Sequence, residues 1–212
     1  MEDIHHILKK YWGYNSFRSL QKEIIEAVLA RRDVLALLPT GGGKSICFQV
    51  PALAQPGICL VITPLIALMK DQVEQLKKRK IPAAALFTGM SYAEIDLVLD
   101  NCVYGNTKFL YLSPERLKTE LFQARVQKMQ VNLLAVDEAH CISQWGYDFR
   151  PAYLDIAELR TLLPNVPIIA LTATATRAVK QDIQDKLQFK NPAVFQKSFT
   201  RDNLSYLIDK TD

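Results

Sequence analysis

One stretch restricts the folds open to this chain more than any other: Pro39-Thr40-Gly41-Gly42-Gly43-Lys44-Ser45, three glycines followed by a cation and a hydroxyl. The apolar run before it, 34–38, reads as a short buried strand, and 46–53 after it continues as a helix. The glycines therefore fall where backbone N–H groups converge on a helix N-terminus, an arrangement that cradles phosphate. Thr40, Gly41, Gly42 and Gly43 supply the loop, Lys44 reaches the β- and γ-phosphates of a nucleotide, and the Ser45 hydroxyl ligates Mg²⁺. Leu38 stands where the strict Gly-x-x-x-x-Gly-Lys-Ser pattern has its first glycine, so the chain departs from that pattern at the strand end.

A buried strand feeding a loop and a helix is one unit of an alternating chain, and the unit recurs. Segments 58–62, 83–87, 108–112, 133–136 and 168–171 read as further strands. Between them lie amphipathic stripes: Leu65, Leu68, Met69, Val73 and Leu76; Ile95, Val98 and Leu99 behind a Ser91/Glu94 capping box; and Val179, Ile183 and Leu187. Ser113-Pro114 starts another helix, running towards Met129. Two helices precede the phosphate loop, one with Ile4, Ile7, Leu8 and Tyr11 on its apolar face, the other with Phe17, Leu20, Ile24 and Val28. The fold class is α/β, with a parallel sheet covered on both faces and ligands at the carboxyl ends of its strands.

The chain's 212 residues suit one such domain. Without an apolar stretch near eighteen residues or a charged-apolar-small leader, it is expected to be soluble and intracellular, with no membrane contact. Cys47, Cys59, Cys102 and Cys141 are widely spaced and read as reduced thiols, with no zinc site. His5 and His6 lie off the first apolar stripe and read as solvent-exposed. A net charge of +4 permits contact with a polyanion without establishing it, and the basic run Lys77 to Lys80 suits a helix C-terminus.

Asp137 and Glu138 follow the 133–136 strand directly. Two carboxylates there are costly as core residues, and a cation is their natural partner. Asp137 is assigned to the metal and Glu138 to the attacking water. His140 is placed to couple this site to the Thr172 or Thr174 hydroxyl at the next strand end. Near the N-terminus, Tyr14, Arg18 and Gln21 fall off the apolar face; they read either as an adenine-recognising group or as ordinary surface residues. In Gln144-Trp145-Gly146-Tyr147-Asp148-Phe149-Arg150 the aromatics alternate with small and charged residues. They suit stacking on unpaired bases with a phosphate contact, or packing beneath a loop.

Together these residues resemble the first motor domain of the RecQ family of DNA helicases, within helicase superfamily 2. Tyr14 with Phe17-Arg18-Ser19-Leu20-Gln21 resembles its adenine-reading motif 0, and 39–45 its motif I. The stretch 63–72 resembles motif Ia, Asp137-Glu138-Ala139-His140 the DEAH-type motif II, 143–151 the aromatic-rich loop, and 171–175 motif III. The resemblance implies a RecA-like P-loop NTPase domain with a mostly parallel central sheet and helices on both faces. It implies ATP and Mg²⁺ as cofactors, and catalytic roles for Lys44, Asp137, Glu138 and His140. Tyr14, Arg18 and Gln21 would read adenine, while Gln144, Trp145, Phe149, Arg150, Thr172 and Thr174 would contact or report single-stranded or forked DNA.

The family also implies 3′-to-5′ unwinding in DNA repair and recombination. The expected organisation is N-terminal helices in 1–32, the ATP-binding domain in 33–200, and at 201–212 the start of a linker to a second RecA-like domain that carries an arginine finger. Ser198-Phe199-Thr200-Arg201-Asp202-Asn203-Leu204 resembles the lead into that domain. Without it, slow hydrolysis and no unwinding are expected. A nucleic-acid-remodelling ATPase and a nucleotide-gated DNA-binding module are the competing classes.

Overall fold

The computed structural model describes residues 2–197. The segment 198–204, assigned to the lead into a second domain, lies outside the described residues. Seven strands form one sheet in the order β3-β4-β2-β5-β6-β1-β7, and every pairing is parallel. They are β1 (Val34–Leu37), β2 (Ile58–Ile62), β3 (Ala83–Leu86), β4 (Phe109–Leu112), β5 (Val131–Val136), β6 (Ile168–Thr172) and β7 (Ala193–Gln196). Six coincide with the expected strands. The seventh, Ala193-Val194-Phe195-Gln196, is a short strand at the sheet edge among the described residues, too short and too exposed to stand out as a buried apolar run.

Alternation along each strand divides the core into two layers. Leu35, Leu37, Leu60, Ile62, Leu134 and Val136 point to one face, where α5 (Tyr92–Tyr104), α6 (Glu120–Val126), α7 (Ile156–Leu162) and α8 (Arg177–Lys186) cover them. Val34, Ala36, Val61, Tyr111, Ala135 and Leu171 point to the other, beneath α2 (Gln21–Leu29), α3 (Lys44–Leu53) and α4 (Ile66–Lys78). Helix α1 (Ile4–Trp12) lies outside this layer and buries Ile7 and Leu8 against Ile25 and Val50. Among the described residues, no helix is long and apolar enough to cross a membrane.

Three local expectations are corrected. Helix α2 begins only at Gln21, because Leu20 adopts the left-handed conformation (φ 67°), so Phe17 and Leu20 precede the helix. The helix expected from Ser113-Pro114 to Met129 breaks into a 3₁₀ turn, Pro114–Arg116, and the short α6. The break is local side-chain bonding: Thr119 Oγ1 donates to the Arg116 carbonyl (2.8 Å), and the Arg116 guanidinium donates to the Phe87 carbonyl (2.6 Å). Helix α7 has no counterpart in the sequence reading. The Ser91/Glu94 capping box opens α5 as expected.

At the amino ends of the strands, Asp33 is 1% exposed and holds three groups. Its carboxylate pairs with the buried Arg160 guanidinium of α7 and accepts the backbone N–H groups of Ile168 (2.8 Å) and Lys190. This clamp ties the start of β1 to α7, β6 and the approach to β7.

Candidate active site

The phosphate loop leaves β1 at the carboxyl edge of the sheet, where the Leu38 N–H donates to the Thr172 carbonyl (3.1 Å) and the Leu38 side chain is fully buried. Leu38 thus prolongs the strand, and the tight turn is made by the glycines after it. Gly43 caps α3 in the left-handed region (φ 77°), and a Cβ there would lie 2.3 Å from the Gln21 side-chain nitrogen. A Cβ on Gly42 would lie 2.7 Å from the Pro39 carbonyl oxygen. The loop therefore has no room for side chains at these positions, and its backbone is left to face a ligand.

Residues before α2 and at its start brace this loop. Gln21 is 2% exposed; its amide donates to the Gly43 carbonyl (3.1 Å) and its oxygen accepts the Arg18 N–H (2.8 Å). The Arg18 guanidinium donates to the Gly41 carbonyl (2.8 Å). The sequence put Gln21 off the buried face; with α2 starting there, it shares that face with Ile24, Ile25 and Val28. A cleft of about 690 Å³ opens between this segment and the loop, lined by Tyr14, Arg18, Gln21, Gly41, Lys44 and Ser45 among others.

The acidic pair follows β5, two strands away from β1. Asp137 is buried, its N–H donates to the Ile62 carbonyl (2.8 Å) and its own carbonyl accepts the buried Tyr153 hydroxyl (2.9 Å). Burial, and then the neighbouring Glu138 carboxylate, push the Asp137 carboxyl up to about 6, while Lys44 and the Glu138 N–H oppose the shift. A divalent cation would supply the missing positive charge, so the donor set suits a metal. Glu138 sits in the left-handed region (φ 48°), a costly conformation for a residue with a side chain. It is the junction of the site: Oε1 lies 3.8 Å from Lys44 Nζ and Oε2 lies 3.3 Å from His140 Nδ1.

His140 is buried, and burial lowers its pKa against the pull of the Glu138 and Asp148 carboxylates. Its Nδ1 is 3.0 Å from the Thr172 hydroxyl, which donates onward to the Thr174 carbonyl (3.1 Å). With that hydroxyl's proton committed, His140 carries its proton on Nδ1 and donates to Thr172. Of the two threonine hydroxyls considered for this coupling, Thr172 makes the contact; Thr174 contributes its backbone.

The aromatic loop begins on the same turn. Trp145 and Tyr147 are 77% and 79% exposed, Gln144 is exposed and Phe149 is half-buried. Packing beneath the loop therefore describes Phe149 in part but not Trp145 or Tyr147. Lys186 of α8 donates to the Ile142 carbonyl (3.1 Å) at the base of the loop. Arg150, read as a phosphate contact, is engaged within the protein: it pairs with Asp148 (3.1 Å) and donates to the Pro64 carbonyl (3.3 Å).

The sequence names the stretches that hold Tyr147, Thr63 and Ser113 but not the environment each side chain meets. Tyr147 stacks on His140 with ring centroids 4.6 Å apart and planes at 22°, joining the loop to the acidic site. Thr63 and Ser113, after neighbouring strands β2 and β4, are buried with hydroxyls that have no partner among the described residues. Strand-end serine and threonine after an apolar run is the signal that could have marked them. His140, Cys141 and Asp148 bring ligand atoms within 4.8 Å, but burial pushes the Cys141 thiol up to about 12 and Arg150 holds Asp148, so the trio lacks a ready thiolate.

A family model described as DEAD/DEAH box helicase matches residues 18–182. The chain is 45% identical over 205 residues to the ATP-dependent DNA helicase RecQ of Pasteurella multocida (strain Pm70), covering 96% of this chain and 32% of that protein. It is 46% identical over 206 residues to the ATP-dependent DNA helicase RecQ of Bacillus subtilis (strain 168), covering 96% of this chain and 35% of that protein. The chain thus spans about a third of the length of these relatives. In fold it resembles the solved DUF1998 helicase MrfA bound to DNA, with a TM-score of 0.75 at 16% identity over 93% of this chain and 30% of that one. With its phosphate loop, strand-end acidic pair and RecQ relatives, the chain belongs to the DEAD/DEAH box helicase family.

Proposed function

We propose that this chain is the nucleotide-binding motor domain of an ATP-dependent DNA helicase that uses Mg-ATP hydrolysis to move along single-stranded DNA. The observation that carries the reading is Glu138, whose carboxylate meets the phosphate-loop Lys44 on one side and, through His140, the exposed aromatic loop on the other. Lys44 and the loop N–H groups hold the phosphates, and Glu138 accepts the proton of the attacking water. Ser45 and Asp137 would hold Mg²⁺, which supplies charge neutralisation between the phosphates. Trp145 and Phe149 stack on bases. Polarity of 3′ to 5′ and a role in repair and recombination follow from the RecQ resemblance.

The deciding experiment is unwinding of a forked duplex by the full-length protein, with ATP turnover followed in parallel. Strand release with DNA-stimulated turnover is expected. In Trp145→Ala the stimulation should fall by roughly 5- to 150-fold, since one stacking contact is worth about 1–3 kcal/mol. Nucleotide affinity without DNA should stay within a factor of about two. Turnover without strand release would favour the remodelling ATPase instead.

Tyr14 and Gln21 lie in the cleft beside the loop and are proposed to recognise adenine. Because Gln21 also holds the Gly43 carbonyl, Gln21→Ala should both weaken nucleotide binding and narrow the preference for ATP over GTP. Competition binding with the two nucleotides measures this, and an unchanged preference removes Gln21 from base recognition.

A further inference from the structure

The helix layer over the phosphate-loop face contains a polar chain that the site described above does not use. Gln49, on α3 one turn after Ser45, is 5% exposed, and its amide donates to the Tyr111 hydroxyl of β4 (3.1 Å). The Tyr111 hydroxyl, on a side chain 1% exposed, donates to the Gln72 side-chain oxygen of α4 (2.9 Å). Burial pushes the phenol's ionisation far up, so it remains a neutral donor. Its single proton goes to Gln72, which fixes the direction of the whole chain and the orientation of both carboxamides.

These groups sit among Phe48, Val61, Met69 and Val73, where apolar side chains would pack without desolvating any polar atom. A buried polar chain in such a layer specifies geometry more than it adds stability. What it specifies is the placement of α4 against α3. Between the two helices lies a cavity of about 320 Å³ lined by Ser45, Gln49, Leu68, Asp71 and Gln72 among others. The amides bridge beside this space and form a polar link between α3 and α4. The segment leading into α4 reaches the aromatic loop, because the Pro64 carbonyl accepts the Arg150 guanidinium (3.3 Å).

We infer that Gln49, Tyr111 and Gln72 are positioning residues that transmit nucleotide occupancy from the phosphate-loop helix to α4 and so to the DNA-facing loop. This route is separate from the one through Glu138 and His140, and it rests on the reading of the chain as a DNA motor. Nucleotide and DNA then bind with a coupling free energy that depends on the Tyr111 hydroxyl.

The test measures the affinity of the full-length protein for a fluorescent single-stranded oligonucleotide, with and without a non-hydrolysable ATP analogue and Mg²⁺. The ratio of the two affinities is the coupling factor, and couplings between sites are typically about 5–150-fold. In Tyr111→Phe the factor is expected to fall at least threefold towards one, with nucleotide affinity in the absence of DNA within about twofold of wild type. Because that variant leaves the buried Gln49 amide and the half-buried Gln72 amide short of a partner, the triple variant Gln49→Met/Tyr111→Phe/Gln72→Met replaces the chain with apolar groups of similar size. It should recover thermal stability and still lack coupling. Full coupling in Tyr111→Phe overturns the inference, as does recovery of coupling together with stability in the triple variant. A wild-type factor of one overturns the motor reading itself and this inference with it.

Discussion

Glu138→Gln is expected to lower ATP turnover of the full-length protein by about 10²- to 10⁴-fold, the usual worth of a positioned general base. The substitution keeps the size and planar shape of the side chain and removes its charge and basicity. Nucleotide affinity is expected to remain within a few-fold, because the phosphate contacts are proposed to come from the loop and Lys44. Loss of the charge also removes the repulsion that helps hold the Asp137 carboxyl up near 6 and the attraction that opposes the lowering of His140. Single-turnover hydrolysis with a parallel binding measurement separates these effects. Unchanged turnover would remove Glu138 from catalysis and favour the nucleotide-gated DNA-binding module.

The largest effect on stability is expected at the opposite end of the sheet. Asp33→Ala strands the Arg160 guanidinium in a site where, among the described residues, only the Val166 carbonyl remains as its acceptor (2.7 Å) and leaves the Ile168 and Lys190 N–H groups without Asp33. Breaking a buried pair from one side costs about 3–5 kcal/mol. For a chain of this size, that corresponds to a fall in Tm of roughly 6–20 °C. Arg160→Met should cost less, since Asp33 then keeps its two backbone donors and no unpaired cation is left inside. Denaturant unfolding compares the two variants, and a cost for Asp33→Ala below about 1 kcal/mol would show that the clamp contributes little.

The motifs that were legible in the sequence are those whose members are contiguous. The phosphate loop and the Asp137-Glu138 pair each occupy one turn, so residue type and the strand before them were enough to place them at the carboxyl edge of a sheet. Gln21 was misplaced for a related reason. Phasing the stripe from Phe17 and Leu20 turns Gln21 outward, whereas the left-handed Leu20 resets the helix and turns Gln21 inward. Arg150 was legible as a charge but not as a charge already paired, because Asp148 and the Pro64 carbonyl meet it only in the folded loop.

By itself the sequence determined the alternating apolar strands and helices, hence a parallel sheet with ligand chemistry at one edge, because strand and helix periodicity and helix-start signals act over a few residues. It also determined the residue types proposed to meet phosphate, metal and water. The tertiary structure alone decided which distant groups pair: Glu138 with Lys44, His140 with Thr172, Asp33 with Arg160, and Gln49 through Tyr111 with Gln72. Those pairings depend on strand order, which brings β1, β5 and β6 together and sets β4 beneath α3 and α4. Strand order is settled by packing two helix layers on the sheet, a property of the whole chain that no local pattern records.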